Sequence, residues 1–128
     1  MQKSNLETSF KKGSIEMLLL KLLNEQDMYG YQLSQELKKR SDGKYTILEG
    51  SMYPILYRLA DSNYISYYEK KVGKRQTRIY YHLENSGRDY YQSQRALFND
   101  YIDLLKKLLD STGDTYESDT EQTTEEIL

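Results

Sequence analysis

The chain has 128 residues, 38% of them hydrophobic, with no cysteine, one histidine and a formal net charge of −2, which suits one compact domain. Without cysteine there are no disulfides or thiolate metal centres, and His82 cannot form a zinc site by itself. No apolar run approaches the roughly 18 residues of a membrane span, and the N-terminus lacks the apolar stretch of a signal peptide; the expectation is a cytoplasmic protein with no membrane partner and no cofactor.

Residues 1–9 are polar and expected to be disordered. From Phe10 to Gln26, Ile15, Leu18, Leu19, Leu22 and Leu23 recur at i, i+3, i+4, i+7 and i+8, the spacing of an amphipathic helix. Met17 and Leu20 widen the stripe, so this helix should be buried on more than one side. "YGYQLSQELKKRS" (29–41) reads as a second helix with Leu33 and Leu37 inward. Gly30, flanked by two tyrosines, fits either a close approach of helix backbones or a turn. "SDGK" (41–44) is a turn.

"EGSMYPILYRLADSNYI" (49–65) contains the only proline, Pro54, among apolar residues that repeat as a helix does. With Ser51 as N-cap, Met52, Ile55, Leu56 and Leu59 form one face and Pro54 falls at the third helical position. The first N–H groups of a helix have no intrahelical partner, so a proline there would forfeit nothing. This third helix should end near Ser62–Asn63.

"YISYYEKK" (64–71) and "TRIYYHL" (77–83) have the tyrosine and isoleucine content of strands, joined by the glycine-containing "VGKRQ". They predict a hairpin. "NSGRDYY" then opens a long helix to about Asp110. In one row stand Tyr90, Gln94, Leu97, Tyr101, Leu104 and Leu108; in a second, Tyr91, Phe98, Ile102, Leu105 and Leu109. Two apolar rows exceed what a small domain must cover, so one row should meet the protein's own core and the other a partner subunit.

Residues 111–128 form a polar tail with the composition of disorder. From Asp114 onward it holds six acids and no base, whereas the preceding 113 residues carry all 18 bases against 14 acids. The body is therefore basic, chiefly at "KKRSDGK" (38–44) and "KKVGKRQTR" (70–78). The tail could compete with nucleic acid for those patches.

Three helices followed by a two-stranded ribbon is the plan of a winged helix-turn-helix, in which the third helix enters the DNA major groove. The fold class expected is mainly α with a small β-hairpin: a DNA-binding domain over 10–84 and a C-terminal dimerisation helix over 85–110. On the third helix Ser51, Pro54, Tyr57, Arg58 and Asp61 face outward, with Tyr53 on the border. Ser51, Tyr53, Tyr57 and Arg58 offer groups suited to bases and phosphates, and Pro54 keeps the tip slim. An ordinary surface helix end would carry the same spacing. The hairpin's Lys70, Lys71, Lys74, Arg75 and Arg78, with no acid among them, favour phosphate contact over a merely solvated tip. Lys38, Lys39, Arg40 and Lys44 would flank the same surface.

The stretch "MYGYQLSQELKKRSDGKYTILEGSMYPILYRLADSNYI" followed by "RQTRIYYHLENSG" resembles the PadR family of bacterial transcriptional regulators. The resemblance rests on "YGYQL", on "GSMYPILYRL", on Arg78 with "YYHL", and on Gly87 before the last helix. It covers about residues 12–108. It implies a homodimeric winged-helix repressor of double-stranded DNA whose long C-terminal helix supplies the dimer interface, here Leu97, Phe98, Tyr101, Leu104, Leu105 and Leu108. Members often release DNA on binding a small aromatic or hydrophobic effector. Some hold flat ligands between subunits with tryptophan; this chain has none, and Phe98 and Tyr101 are the candidates for that place.

The leading expectation is thus a dimeric regulator reading half-sites about one helical turn, roughly 34–36 Å, apart. A winged-helix module that docks a partner protein through its tyrosines and acidic tail is the alternative. No nucleophile–base pair, metal set or phosphate-cradling loop points to an enzyme.

Overall fold

A computed structural model describes residues 10, 11 and 13–113. The expectations for residues 1–9 and for the acidic segment 114–128 lie outside the described residues. Helix α1 spans Ile15–Glu25, strand β1 Met28–Tyr29, α2 Gly30–Arg40, α3 Glu49–Asp61, β2 Ile65–Lys71, β3 Thr77–Leu83 and α4 Asn85–Asp110. The winged-helix plan read from the sequence is the observed one. The stretch read as one helix from Phe10 is interrupted: Phe10 and Lys11 are helical, Gly13 and Ser14 form a turn, and α1 starts at Ile15.

Leu19, Leu20, Leu22 and Leu23 of α1 pack with Leu33 and Leu37 of α2 and Met52, Leu56 and Leu59 of α3. Met28, Ile65, Tyr81 and Leu83 close this core from the sheet and Tyr91 from α4. The sheet has three antiparallel strands in the order β1-β3-β2. The hairpin is in register from Ile65↔Leu83 to Lys71↔Thr77. Its turn is closed by Val72 N–H donating to the Gln76 carbonyl at 2.9 Å, and Gly73 there takes φ +149°, open to glycine alone. Strand β1 was not expected: two residues carry no periodicity, and only pairing of Met28 with Tyr81 and Tyr29 with Tyr80 makes them a strand.

Helix α3 begins three residues before the expected start. Leu48 is its N-cap residue, with no side-chain cap, and the Ser51 and Met52 N–H groups both donate to the Leu48 carbonyl. Glu49 in the first turn complements the helix dipole. Pro54 is consequently the sixth residue and does forfeit a hydrogen bond, the one its N–H would have given to Gly50. Gly50 is exposed, so water reaches that carbonyl. The helix ends in a Schellman motif, with Tyr64 N–H donating to Leu59 O and Asn63 N–H to Ala60 O, both at 3.0 Å, and Asn63 at φ +64°.

The chain divides into two compact units, Met1–Arg95 and Ala96–Leu128, and α4 runs from the first into the second. In the first unit Gly87 lies against the end of β3 and the residue before β2: a Cβ there would fall 2.7 Å from Leu83 Cδ1 and 2.8 Å from Tyr64 C. Tyr91 is buried and Tyr90 and Gln94 are half-buried. In the second unit Leu97, Phe98, Tyr101, Leu104, Leu105, Leu108 and Leu109 are all exposed. The expected division of α4, one row inward and one outward, is therefore corrected. Residues of both rows are covered near its start; beyond it all the apolar residues of both rows are exposed except Ile102, which is half-buried.

Candidate nucleic-acid interface

The helix-turn-helix is α2 and α3 with the segment between them. Asp42 at φ +54° and Gly43 at φ +81° end α2, and the chain then returns along α1 to start α3. Packing of Met52, Leu56 and Leu59 into the core leaves Ser51, Pro54, Tyr57, Arg58 and Asp61 exposed and Tyr53 half-buried, as the spacing predicts. The hydroxyl end of Tyr53 rests on Gly30, at the start of α2. Burial, with help from Glu49 and Tyr57, pushes the Tyr53 phenol above its ordinary pKa. Its ring centroid is 6.1 Å from that of Tyr57.

In the wing, Lys70, Lys71, Lys74 and Arg75 are exposed and Arg78 is half-buried. Register places Lys70 directly opposite Arg78, an arrangement that costs stability when unrelieved. Aromatic faces relieve it in part: Arg78 lies 4.3 Å from the Tyr29 centroid and Lys70 Nζ 5.2 Å from that of Tyr80. Tyr29, Tyr80 and Tyr68 form a row across all three strands, with centroid separations of 5.4 and 5.8 Å. The Tyr68 hydroxyl donates to Asp27 at 2.7 Å, and His82 Nδ1 lies 2.7 Å from the other Asp27 oxygen. Burial pushes the Asp27 carboxyl up, but these two partners outweigh it and hold its pKa below the ordinary value. Among the described residues none of the five wing cations has a carboxylate partner.

Two clefts flank α3. One, of about 410 Å³, brings Tyr53 and Tyr57 together with Gln76 and Arg78 of the wing, over a floor that includes Gly30 and Tyr81. The other, of about 890 Å³, is lined by Ser51 and Arg58 with Lys11, Ile15, Leu48 and Ile55 among its walls. The sequence-derived residues thus lie on two sides of one exposed helix face. Tyr53, Tyr57 and Arg78 share the first cleft, Ser51 and Arg58 the second, and Pro54 stands exposed on the face itself.

Two of the basic residues read as part of this surface are paired with carboxylates. Arg58 donates to Glu16 of α1 at 3.2 Å. Arg40 is clasped by Glu25, Nη1 and Nη2 each donating to its own carboxylate oxygen at 2.7 Å, and by Glu36, which accepts from Nε at 3.1 Å. Arg40 therefore does not flank the surface as an uncompensated cation; Lys38, Lys39 and Lys44 remain exposed. Sequence reasoning missed Tyr29, Tyr68, Tyr80, Gln76 and Glu16. The Tyr68–Tyr80 pair was within reach, because counting outward from the "VGKRQ" turn sets those residues opposite each other. Glu16 had no such signal, since its partners lie 42, 74 and 78 positions away.

Among the described residues no group of His, Asp and Glu could hold a metal ion, and no helix is long and apolar enough to cross a membrane. A family model described as the transcriptional regulator PadR-like family matches residues 19–93. An uncharacterized protein of Lysinibacillus sphaericus is 29% identical over 102 residues, spanning 77% of this chain and 94% of its own. The structure of a PadR family transcriptional regulator from Eggerthella lenta is similar at a TM-score of 0.76 and 26% identity, over 85% of this chain and 93% of that one. That of a transcriptional regulator from Clostridium thermocellum has a TM-score of 0.72 and 27% identity, over 77% and 96%.

Proposed function

The chain belongs to the PadR-like family of transcriptional regulators, and on that premise we propose that it represses transcription in the cytoplasm as a homodimer bound to a pseudo-palindromic operator. The observation that carries the reading is the shared cleft of Tyr53, Tyr57 and Arg78, with the wing cations, unpaired with any carboxylate among the described residues, beside it. Helix α3 is the recognition helix. Tyr53 and Tyr57 present hydroxyls and flat faces to the groove, Ser51 and Arg58 flank them, and the wing follows the phosphates through Lys70, Lys71, Lys74 and Arg75. A tip this rich in like charge is stabilised when it meets a polyanion.

The partner subunit covers α4. Leu97, Phe98, Tyr101, Leu104, Leu105 and Leu108 are too many exposed apolar side chains for a solvated helix, and their spacing suits an antiparallel or parallel helix pair. A small aromatic or hydrophobic effector would lodge beside Phe98 and Tyr101 in that interface and release the operator.

Fluorescence anisotropy of a labelled fragment of the gene's own promoter, titrated with excess nonspecific DNA present, tests the reading. With about 6–10 phosphates contacted, affinity should fall roughly 10³–10⁵-fold between 50 and 200 mM salt. Binding that is insensitive to salt, or abolished by the competitor, would remove sequence-specific regulation.

A further inference from the structure

We propose that Glu16 determines how available Arg58 is to DNA, and that α4 sets the position of Glu16. The inference rests on α3 being the recognition helix. Glu16 Oε1 accepts a hydrogen bond from Arg58 Nη2 at 3.2 Å, while Oε2 accepts from the Tyr90 hydroxyl at 3.0 Å and from Gln94 Nε2 at 2.7 Å. One carboxylate in the first turn of α1 therefore joins α3 to the first turns of α4.

The three bonds differ in strength. Arg58 is 62% exposed and makes one bond to a carboxylate that is only 20% exposed. Tyr90 and Gln94 are half-buried, and the Tyr64 ring stacks on Tyr90 at 4.2 Å and 4°, which fixes its hydroxyl. Burial and the hydrogen bond to the Glu16 carboxylate both raise the Tyr90 pKa. Gln94 turns its NH₂ to Glu16 even though its own Oε1 is then buried without a partner. The carboxylate thus dictates the amide's orientation at the cost of an unsatisfied acceptor.

Glu16 is accordingly the anchored member of the pair and Arg58 the mobile one. A DNA phosphate that recruits Arg58 competes with Glu16, which stays held by α4. Movement of Tyr90 and Gln94 against α1 changes the strength of that competition, so the state of α4 reaches the recognition helix through a single carboxylate. Glu16 acts through Arg58 and is a positioning residue.

Promoter-fragment titrations of wild type, Glu16→Gln, Arg58→Ala and the double variant test this, with thermal melts to establish that all four are folded. Gln is isosteric with Glu, and Gln94 can rotate to offer it the oxygen now unpartnered. The weak, largely exposed pair predicts operator binding about two- to fivefold tighter for Glu16→Gln. Arg58→Ala should bind more weakly, and Glu16→Gln should give no gain in its presence. An equal gain in the Arg58→Ala background would show general charge removal and overturn the inference, as would no gain in wild type. Glu16→Ala serves as a second variant with the same expected dependence on Arg58. Failure of the wild type to bind any promoter fragment would overturn the recognition-helix reading itself, and this inference with it.

Discussion

Tyr53 of α3 stands on Gly30 of α2, so close that a Cβ on that glycine would fall 2.8 Å from Tyr53 Cζ and 3.0 Å from Cε1. The first residue of one helix thereby seats a ring of the next, and the ring fixes how the exposed end of α3 sits over α2. Gly30→Ala should cost about 1–3 kcal/mol, the usual penalty for overpacking, with operator affinity falling as well. Adding Tyr53→Leu should recover part of the stability, giving a favourable interaction energy in a double-mutant cycle read by chemical denaturation. Strict additivity would mean that the packing of Tyr53 on Gly30 does not constrain the fold.

Lys74 and Arg75 form the tip of the wing and have no carboxylate partner among the described residues. Replacing both by alanine should flatten the dependence of log affinity on log salt by roughly 0.9 for each phosphate no longer neutralised, about 1.8 if both cations touch DNA. The melting temperature should hardly change, because neither side chain enters the core. An unaltered salt slope would place the wing tip away from the duplex.

Arg40 and, second to it, Lys21 hold the Glu25 pKa down to about 2 from its ordinary 4.5. A carboxylate depressed in the folded state contributes stability that is complete above its unfolded pKa and is lost as pH falls through the folded value. The window is therefore about pH 4.5 down to about 2. Both partners are about a third or more exposed, so the worth is modest, on the order of 1 kcal/mol. Arg40→Met keeps the aliphatic stem and should melt lower than wild type at pH 6, with the gap closing as the pH is taken to 2.5. A gap that persists into acid would assign the loss to packing.

Asn63 occupies the left-handed position at the end of α3. Asparagine tolerates that conformation, glycine adopts it freely, and a β-branched residue does not. Asn63→Gly should leave stability within a few tenths of a kcal/mol of wild type or raise it, whereas Asn63→Val should cost about 1–2 kcal/mol. The denaturation midpoint of Asn63→Gly should lie at or above the wild-type value and that of Asn63→Val below it. Equal losses would show that the side-chain amide matters more than the backbone.

Leu104 and Leu108 stand one turn apart on the bare part of α4. Charges at both, as Leu104→Glu with Leu108→Glu, should convert the proposed dimer to a monomer in sedimentation velocity without unfolding residues 15–95, whose core lies elsewhere. Operator affinity should then fall by orders of magnitude, since one half-site is read alone. A dimer that survives both charges would place the subunit interface off this face.

Much of the fold was legible because it is local. Leucine spacing marked α1, α2 and α3, tyrosine-rich runs around a glycine turn marked β2 and β3 as a hairpin, and the cations of the wing stand close together in the chain. Where local cues competed, the sequence reading was misled. Ser51 is a better cap than Leu48 by residue type, yet α3 starts at Glu49, so Pro54 sits deeper than expected and leaves the Gly50 carbonyl to water. A two-residue strand such as β1 has no pattern to read at all.

By itself the sequence determined the order of the helices and the hairpin, the residues on the exposed face of α3 and the basic character of the wing, because each depends on spacing along one segment. Only the tertiary structure decided which of those residues are engaged. Arg58 answers to Glu16, Arg40 to Glu25, Arg78 and Lys70 to tyrosine faces, and Tyr53 to a glycine on another helix. Each pairing except Lys70 with Tyr80 joins residues from different helices, or from a strand the sequence did not reveal. The distances between such residues are set by how the core packs, a cooperative outcome of all the buried side chains together and not of any one stretch.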